Sequence, residues 1–255
     1  MRKSAPFRFG SLKARLPHTE PGQRIGLLGG SFNPPHVAHR SITEIGLKRL
    51  GLDRVWWLVS PGNPLKSRAE LLPLNARLQL ARTLVRDPRV VMTDLEKGLG
   101  TTFTAATLAH LKLRRPGVHF VWIMGADCLA GFHRWQHWRE IFAMMPIAVI
   151  DRPGWRHAAL SSIAARAFAR HRLPESRARL LATADPPAWT LLSGRLMRIS
   201  STEIRARARA DGHGVVRVGD RRRSVGDLLQ APRGGRRGRQ VLGRGRKGRE
   251  RVDRR

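Results

Sequence analysis

The stretch GLLGGSFNPPHVAHR, residues 26–40, ends an apolar run on paired glycines and then sets His36 and His39 three apart behind two prolines. Gly29 and Gly30 carry no side chain to hold off an incoming group, and Ser31 adds a hydroxyl and further backbone donors, which is the chemistry of a phosphate cradle. Pro34 and Pro35 stiffen the loop, and a helix starting behind them brings both imidazoles onto one face of its first turn, at the positive end of its dipole. Two imidazoles then face one anion. The glycine spacing is neither G-x-G-x-x-G nor G-x-x-x-x-G-K-[ST], and GNPLKS at 62–67 only weakly resembles the latter. Zinc is the rival ligand, but it needs three or four donors and the stretch itself offers no Cys or carboxylate to join the histidines. A third reading leaves both rings satisfied at the start of a helix.

A second anion site is written at RISSTEIRAR, residues 198–207. Ser200, Ser201 and Thr202 would stand at a helix N-terminus with Arg205 just inside, so hydroxyls, free N–H groups and a guanidinium fork converge as suits the outer phosphates of a nucleotide. Taken alone, SSTE is also a good helix cap.

Both sites need elements to position them. Short apolar runs alternate with amphipathic stretches, the pattern of parallel strands joined by crossover helices. Strands are expected at 24–30, 54–60, 89–95, 119–127, 146–151 and 188–194, and helices at 37–50, 75–86, 104–113 and 158–171, with a last one from Ser201. Such a sheet binds ligands beyond the carboxyl ends of its strands, where Gly29 and Gly30 fall.

At 255 residues the chain can bury one sizeable core, and one α/β domain over 23–211 is expected. The single cysteine, Cys128, excludes an internal disulfide framework and fits a reducing, cytoplasmic setting. The basic N-terminus lacks the apolar centre of a secretory signal, and no later stretch is apolar for long enough to span a bilayer. The net charge of +31 invites a nucleic-acid reading, but residues 206–255 alone hold 17 Lys and Arg against 5 Asp and Glu. That end is rich in Gly and Arg without apolar periodicity, so 212–255 is expected to be a disordered basic tail, open to non-specific nucleic-acid contact, and 1–22 a disordered extension.

A Gly-Gly-Ser turn, then H-x-x-H, then a distant I-S-S-T-x-I-R resembles the nucleotidyltransferase superfamily. With MGADCLAGFHRWQHWREI at 124–141 the set is similar to bacterial nicotinate-nucleotide adenylyltransferases, over roughly residues 24–210 with all three motifs in family order. The resemblance implies a Rossmann-like nucleotidyltransferase fold, a parallel sheet with helices on both faces, and Mg2+-dependent transfer of AMP from ATP to nicotinate mononucleotide. It implies that His36, His39 and Arg205 are catalytic, with His39 nearest the transition-state charge. It further implies that Gly29, Gly30, Ser31, Phe32, Asp127, Ser201 and Thr202 join them in binding ATP, with no direct protein ligand for a metal. Lys66, Thr102 and Trp135 would hold the mononucleotide, Trp135 by stacking on its pyridine ring, while Trp138 is assigned to the core. An adenylyltransferase for another phosphate acceptor such as phosphopantetheine, or a basic RNA-binding protein, are the alternatives; Trp135 and Thr102 argue for the pyridine nucleotide. The family pattern breaks after Arg207, where ADGHGVVRVGDRRRSVGDLLQAPRGG offers little that could pack.

Overall fold

In the computed structural model the described residues are 14–62, 71–194, 199–210, 215–218 and 221–224. Their order is β1 (Arg24–Gly30), α1 (Val37–Arg49), β2 (Arg54–Val59), α2 (Leu74–Leu84), β3 (Val90–Thr93), α3 (Leu95–Leu99), α4 (Thr104–Arg114), β4 (His119–Gly125), α5 (Ala126–Ala130), α6 (Trp138–Met144), β5 (Ile147–Ile150), α7 (Arg156–Leu160), α8 (Ile163–Ala167), β6 (Trp189–Leu192), α9 (Ser201–Ala210), β7 (Val215–Val218) and β8 (Arg221–Ser224).

Strands β1 to β6 form one sheet in the order β3-β2-β1-β4-β5-β6, parallel at every pairing. The central strands are apolar on both faces because helices cover both faces, so they read as continuous runs and not as alternation. On one face Ile25, Leu27, Trp56, Leu58, Phe120 and Trp122 pack with residues of α4, α5 and α6. On the other, Leu28, Val55, Trp57, Val121 and Ile123 meet α1, α2 and the 3-10 turns of 175–183. The chain reverses its direction of winding between β1 and β4, which opens a crevice beyond the carboxyl ends of those two strands. The GG turn, Asp127 and the start of α1 all lie at that end.

Departures from expectation have local causes. Residues 14–22 belong to the extension expected to be disordered, yet Ala14 is buried against Gly98, Leu16 packs on the core and Gly22 N–H donates to Gly117 O at 2.7 Å. The expected helix 158–171 is broken into α7, α8 and a 3-10 turn, since Ser162 leaves the first helix to accept the Ala165 N–H as cap of the next. The strand expected at 89–95 stops at Thr93, where the Thr93 hydroxyl accepts Leu95 N–H and opens α3. Within the expected tail, β7 and β8 pair antiparallel with Val215 opposite Ser224, as the Val-rich VVRV favours. The rest of 212–255 and residues 1–13 fall outside the described residues.

Candidate active site

Leaving β1, the chain turns at Phe32, whose φ of 46° lies in the left-handed region that a non-glycine residue rarely adopts. Packing holds it there: the Phe32 ring is buried, stacked on Trp57 at 4.7 Å between centroids and tilted against His39 at the same distance. The aromatic ring is thus committed to the core, leaving its backbone to meet a ligand. Gly29 lacks a side chain for a reason the sequence does not reveal, since a Cβ there would overlap Cη2 of Trp122 beneath it. Ser31, by contrast, stays half-buried at the crevice.

Behind the two prolines, His36 caps α1 and His39 follows one turn in, with ring centroids 3.9 Å apart. The backbone N–H of His36 donates to His39 Nδ1 at 3.1 Å, so the neutral His39 ring carries its proton on Nε2. That is the nitrogen whose N–H can donate to an anion. His36 is buried, with its Nδ1 unpartnered, and burial followed by the nearby Arg152 cation pushes its pKa down to about 4 against the pull of Glu203. In the free protein it is therefore a neutral imidazole at neutral pH. Beneath both, Trp57 Nε1–H donates to Thr43 Oγ1 at 2.8 Å, and the Thr43 hydroxyl donates to the His39 carbonyl at 2.9 Å, which fixes the turn that bears His39.

The second anion element docks directly on this loop. Ser200 Oγ accepts Glu203 N–H and so caps α9, leaving Ser201 to donate its hydroxyl to Pro34 O at 2.9 Å. Arg205 Nη1 donates to Asn33 O at 2.6 Å. The two motifs, about 170 residues apart in the chain, are thus one site, as the phosphate reading requires. Thr202 is exposed beside them.

Asp127, at the start of α5, is not open to solvent ligands alone: its Oδ2 takes a very short hydrogen bond from Arg152 Nη1, while Arg152 Nη2 donates to Ile199 O at 2.8 Å. Arg152 had no motif to announce it; its only signal is its place just past β5 in DRPG. Arg77 was equally silent. Buried on α2, it donates to Ser31 O at 2.6 Å, Ser60 O at 2.7 Å and Leu72 O at 2.9 Å, lashing the ends of β1 and β2 together and adding positive charge below the cradle. Burial lowers its pKa without removing its charge.

Trp135 lies on the other side of the crevice. It is half-buried, 5.0 Å from the Phe132 ring and edge-on to Trp122 at 6.3 Å, so the chain of contacts Gly29–Trp122–Trp135 carries it to the end of β1. Trp138 is buried against Phe168 under Arg139, in the core as expected. Thr102 is half-buried immediately before α4, whose cap is Phe103; Thr101 Oγ1 accepts the Phe103 N–H. Lys66 lies outside the described residues. Among those described, no three His, Cys, Asp or Glu gather as metal ligands, and no helix is long and apolar enough to cross a membrane.

A doubly wound parallel sheet with two histidines and a Ser-Thr-Arg helix start meeting at its switch point defines a nucleotidyltransferase. The model of the cytidylyltransferase-like family matches residues 27–207. A protein of Mesorhizobium japonicum named a probable nicotinate-nucleotide adenylyltransferase is 53% identical over 194 residues, 76% of this chain and all of that one. One of the same name from Cereibacter sphaeroides is 56% identical over 188 residues, 74% of this chain and 99% of its own. The chain belongs to the nicotinate-nucleotide adenylyltransferase family. The fold agrees with that of the nicotinic acid mononucleotide adenylyltransferase of Plasmodium falciparum complexed with NaAD, at 18% identity, a TM-score of 0.55 and coverage of 72% of this chain and 83% of that one.

Proposed function

We infer that this chain transfers the adenylyl group of MgATP to nicotinate mononucleotide, releasing pyrophosphate and forming deamido-NAD. The observation that carries the reading is the docking of the Ser201–Arg205 helix start onto the loop that bears His36 and His39. In this reaction a 5′-phosphate oxygen forms a bond to the α-phosphorus of ATP while the bond from that phosphorus to the bridging oxygen of the β-phosphate breaks. The nucleophile is already an anion and needs no base. The protein's task is to align two polyanions and to neutralise the charge that builds on the transferred and leaving phosphates.

The roles follow from position. His39 Nε2–H is directed by the Nδ1 contact toward the phosphates, with neutral His36 beside it. Ser201, Thr202 and Arg205 hold the β- and γ-phosphates, for which Ser201 and Arg205 exchange their present partners, the carbonyls of Pro34 and Asn33. The backbone of Gly29, Gly30, Ser31 and Phe32 completes the cradle. Mg2+ enters as part of MgATP, held chiefly by phosphates and water as its preference for few protein ligands allows; Asp127 is the carboxylate beside that path. Trp135 offers an aromatic face to the electron-poor pyridine, and the open N–H groups at the start of α4, with Thr102, suit its carboxylate. A cytoplasmic location accompanies this reading.

Turnover with ATP and each mononucleotide tests it directly, and Trp135→Ala tests the pyridine site. The Michaelis constant for nicotinate mononucleotide should rise about tenfold, for a lost stacking contact and its buried area, while that for ATP stays within about twofold. Because Trp135 is half-buried and Trp138 is the core residue, the melting temperature should move far less than in Trp138→Ala, where truncation of a buried indole costs roughly 3–5 kcal/mol. Equal rises in both Michaelis constants would remove Trp135 from the site.

A further inference from the structure

Arg77 is a buried cation with no carboxylate beside it. It is 1% exposed, and among the described residues no Asp or Glu pairs with it. Its hydrogen bonds there go to carbonyls alone, from Nη1 to Ser31 O at 2.6 Å and Ser60 O at 2.7 Å and from Nε to Leu72 O at 2.9 Å. A carbonyl needs a donor but not a charge, and a charge kept in such a place costs folding energy that a neutral donor would not. The three peptides differ in what lies at their other end. Ser60 and Leu72 precede Pro61 and Pro73, so those two peptides have no N–H to present. Ser31 precedes Phe32, and that peptide has one.

A trans peptide holds its C=O and its N–H pointing opposite ways. With the Ser31 carbonyl turned to Arg77, the Phe32 N–H is turned away from it. Helix α2 packs on β2 and β3, so away from Arg77 is toward β1 and the switch point between β1 and β4. The Phe32 N–H donates to no described residue, and the Phe32 ring is committed to Trp57.

We propose that Arg77 is a positioning residue for adenylyl transfer, acting through the Ser31–Phe32 peptide: it fixes that plane so that the Phe32 N–H faces the phosphate in transfer, and its charge polarises the same N–H into a stronger donor. A cation on a carbonyl in a dry site strengthens the hydrogen bond made at the far end of the peptide. The gain is largest where charge builds on the transferred phosphate, so kcat should feel the loss of Arg77 more than either Michaelis constant.

This inference deepens the adenylyl-transfer reading above, and its first readout does not depend on turnover. In protein with isotope-labelled phenylalanine, the Phe32 amide proton should move downfield on adding MgATP alone, with no acceptor present. An enzyme that shows this shift but does not adenylylate nicotinate mononucleotide refutes the reading of the acceptor and not the role of Arg77. Two variants supply the second readout: Arg77→Lys keeps the charge, and Arg77→Gln keeps a neutral N–H donor. Arg77→Gln should lower kcat about 30-fold or more, short of the loss of a donor outright, with both Michaelis constants within about threefold. Arg77→Lys should recover at least about tenfold of that, and the Phe32 shift should shrink in Arg77→Gln alone. Thermal melts and single-turnover amplitudes report folding and the active fraction. A merely structural arginine would lower the melting temperature and the amplitude alike in both variants while the single-turnover rate and the Phe32 shift stay at wild type, and that result overturns the proposal. Should neither variant fold, the wild type still decides: a Phe32 amide unmoved by MgATP overturns it.

Discussion

His39→Ala should lower kcat by roughly 10²-fold or more, the loss of about 3 kcal/mol that removing one charge-stabilising donor from a transition state commonly costs. The fold should survive, because His39 is half-buried at the crevice, where its ring lies against those of Phe32, His36 and Trp57. Truncation also strips the His36 N–H of its acceptor, a local cost of about 1 kcal/mol when water takes over. Two further variants separate these losses. Asparagine at 39 places its amide where Nδ1 stood and can accept from His36 N–H, but it has no donor at the Nε2 position; it should melt like wild type and remain as inactive as alanine. Glutamine reaches the Nε2 position with an N–H and should recover part of kcat while leaving His36 N–H without its partner. The decisive comparison is single-turnover adenylyl transfer beside thermal melts. If asparagine is the active variant and glutamine the inactive one, the histidine acts through the helix start and not on the phosphates.

What the sequence makes legible is what lies close together along it. The turn from β1 into α1 has its glycines, prolines and histidines within 15 residues, and the Ser-Ser-Thr-x-Ile-Arg start of α9 is equally compact. That these two meet is legible only because both have the residue types of an anion site. Side chains that act across the sheet leave no such trace. Arg77 reaches Ser31 over 46 positions and Arg152 reaches Ile199 over 47, and in sequence each is one arginine among many in a chain of net charge +31. Glu96 in turn reads as an ordinary acidic residue in a first helical turn until burial singles it out. Gly29 shows how a correct placement can have a different cause: it does end β1 at the crevice, but its missing side chain makes room for Trp122. Trp122 in turn packs edge-on to Trp135, so the space left at one glycine bears on the placement of both. The broken helix at 158–171 and the packed Ala14 failed for another reason. A serine cap and a single small residue decide them, and composition weighs neither.

Arg152 should prove as costly to lose as any residue outside the histidine pair, and the structure gives two separable reasons. Its guanidinium bridges the Asp127 carboxylate to the carbonyl of Ile199, the residue before Ser200, and so secures the approach to α9, which otherwise docks through Ser201 and Arg205. It also neutralises Asp127, which without it would present a bare negative charge beside a path for phosphates. In Arg152→Met the stem is kept and the charge is lost. The pair is about a quarter exposed, so the cost is discounted below that of a fully buried pair to roughly 2 kcal/mol, or about 30-fold in kcat/KM for ATP. Adding Asp127→Asn distinguishes the reasons by a double-mutant cycle. If unpaired Asp127 causes the damage, the double variant regains most of the activity; if the guanidinium itself meets the phosphates, it regains none. A second readout is independent of turnover. Arg152 is one of the two causes that hold His36 down to about 4, the other being burial, so its removal should move the His36 titration upward, toward the ordinary histidine value, in ring-proton NMR of the free protein. Wild-type kcat/KM together with an unmoved His36 titration in Arg152→Met would show that this arginine stands apart from the site.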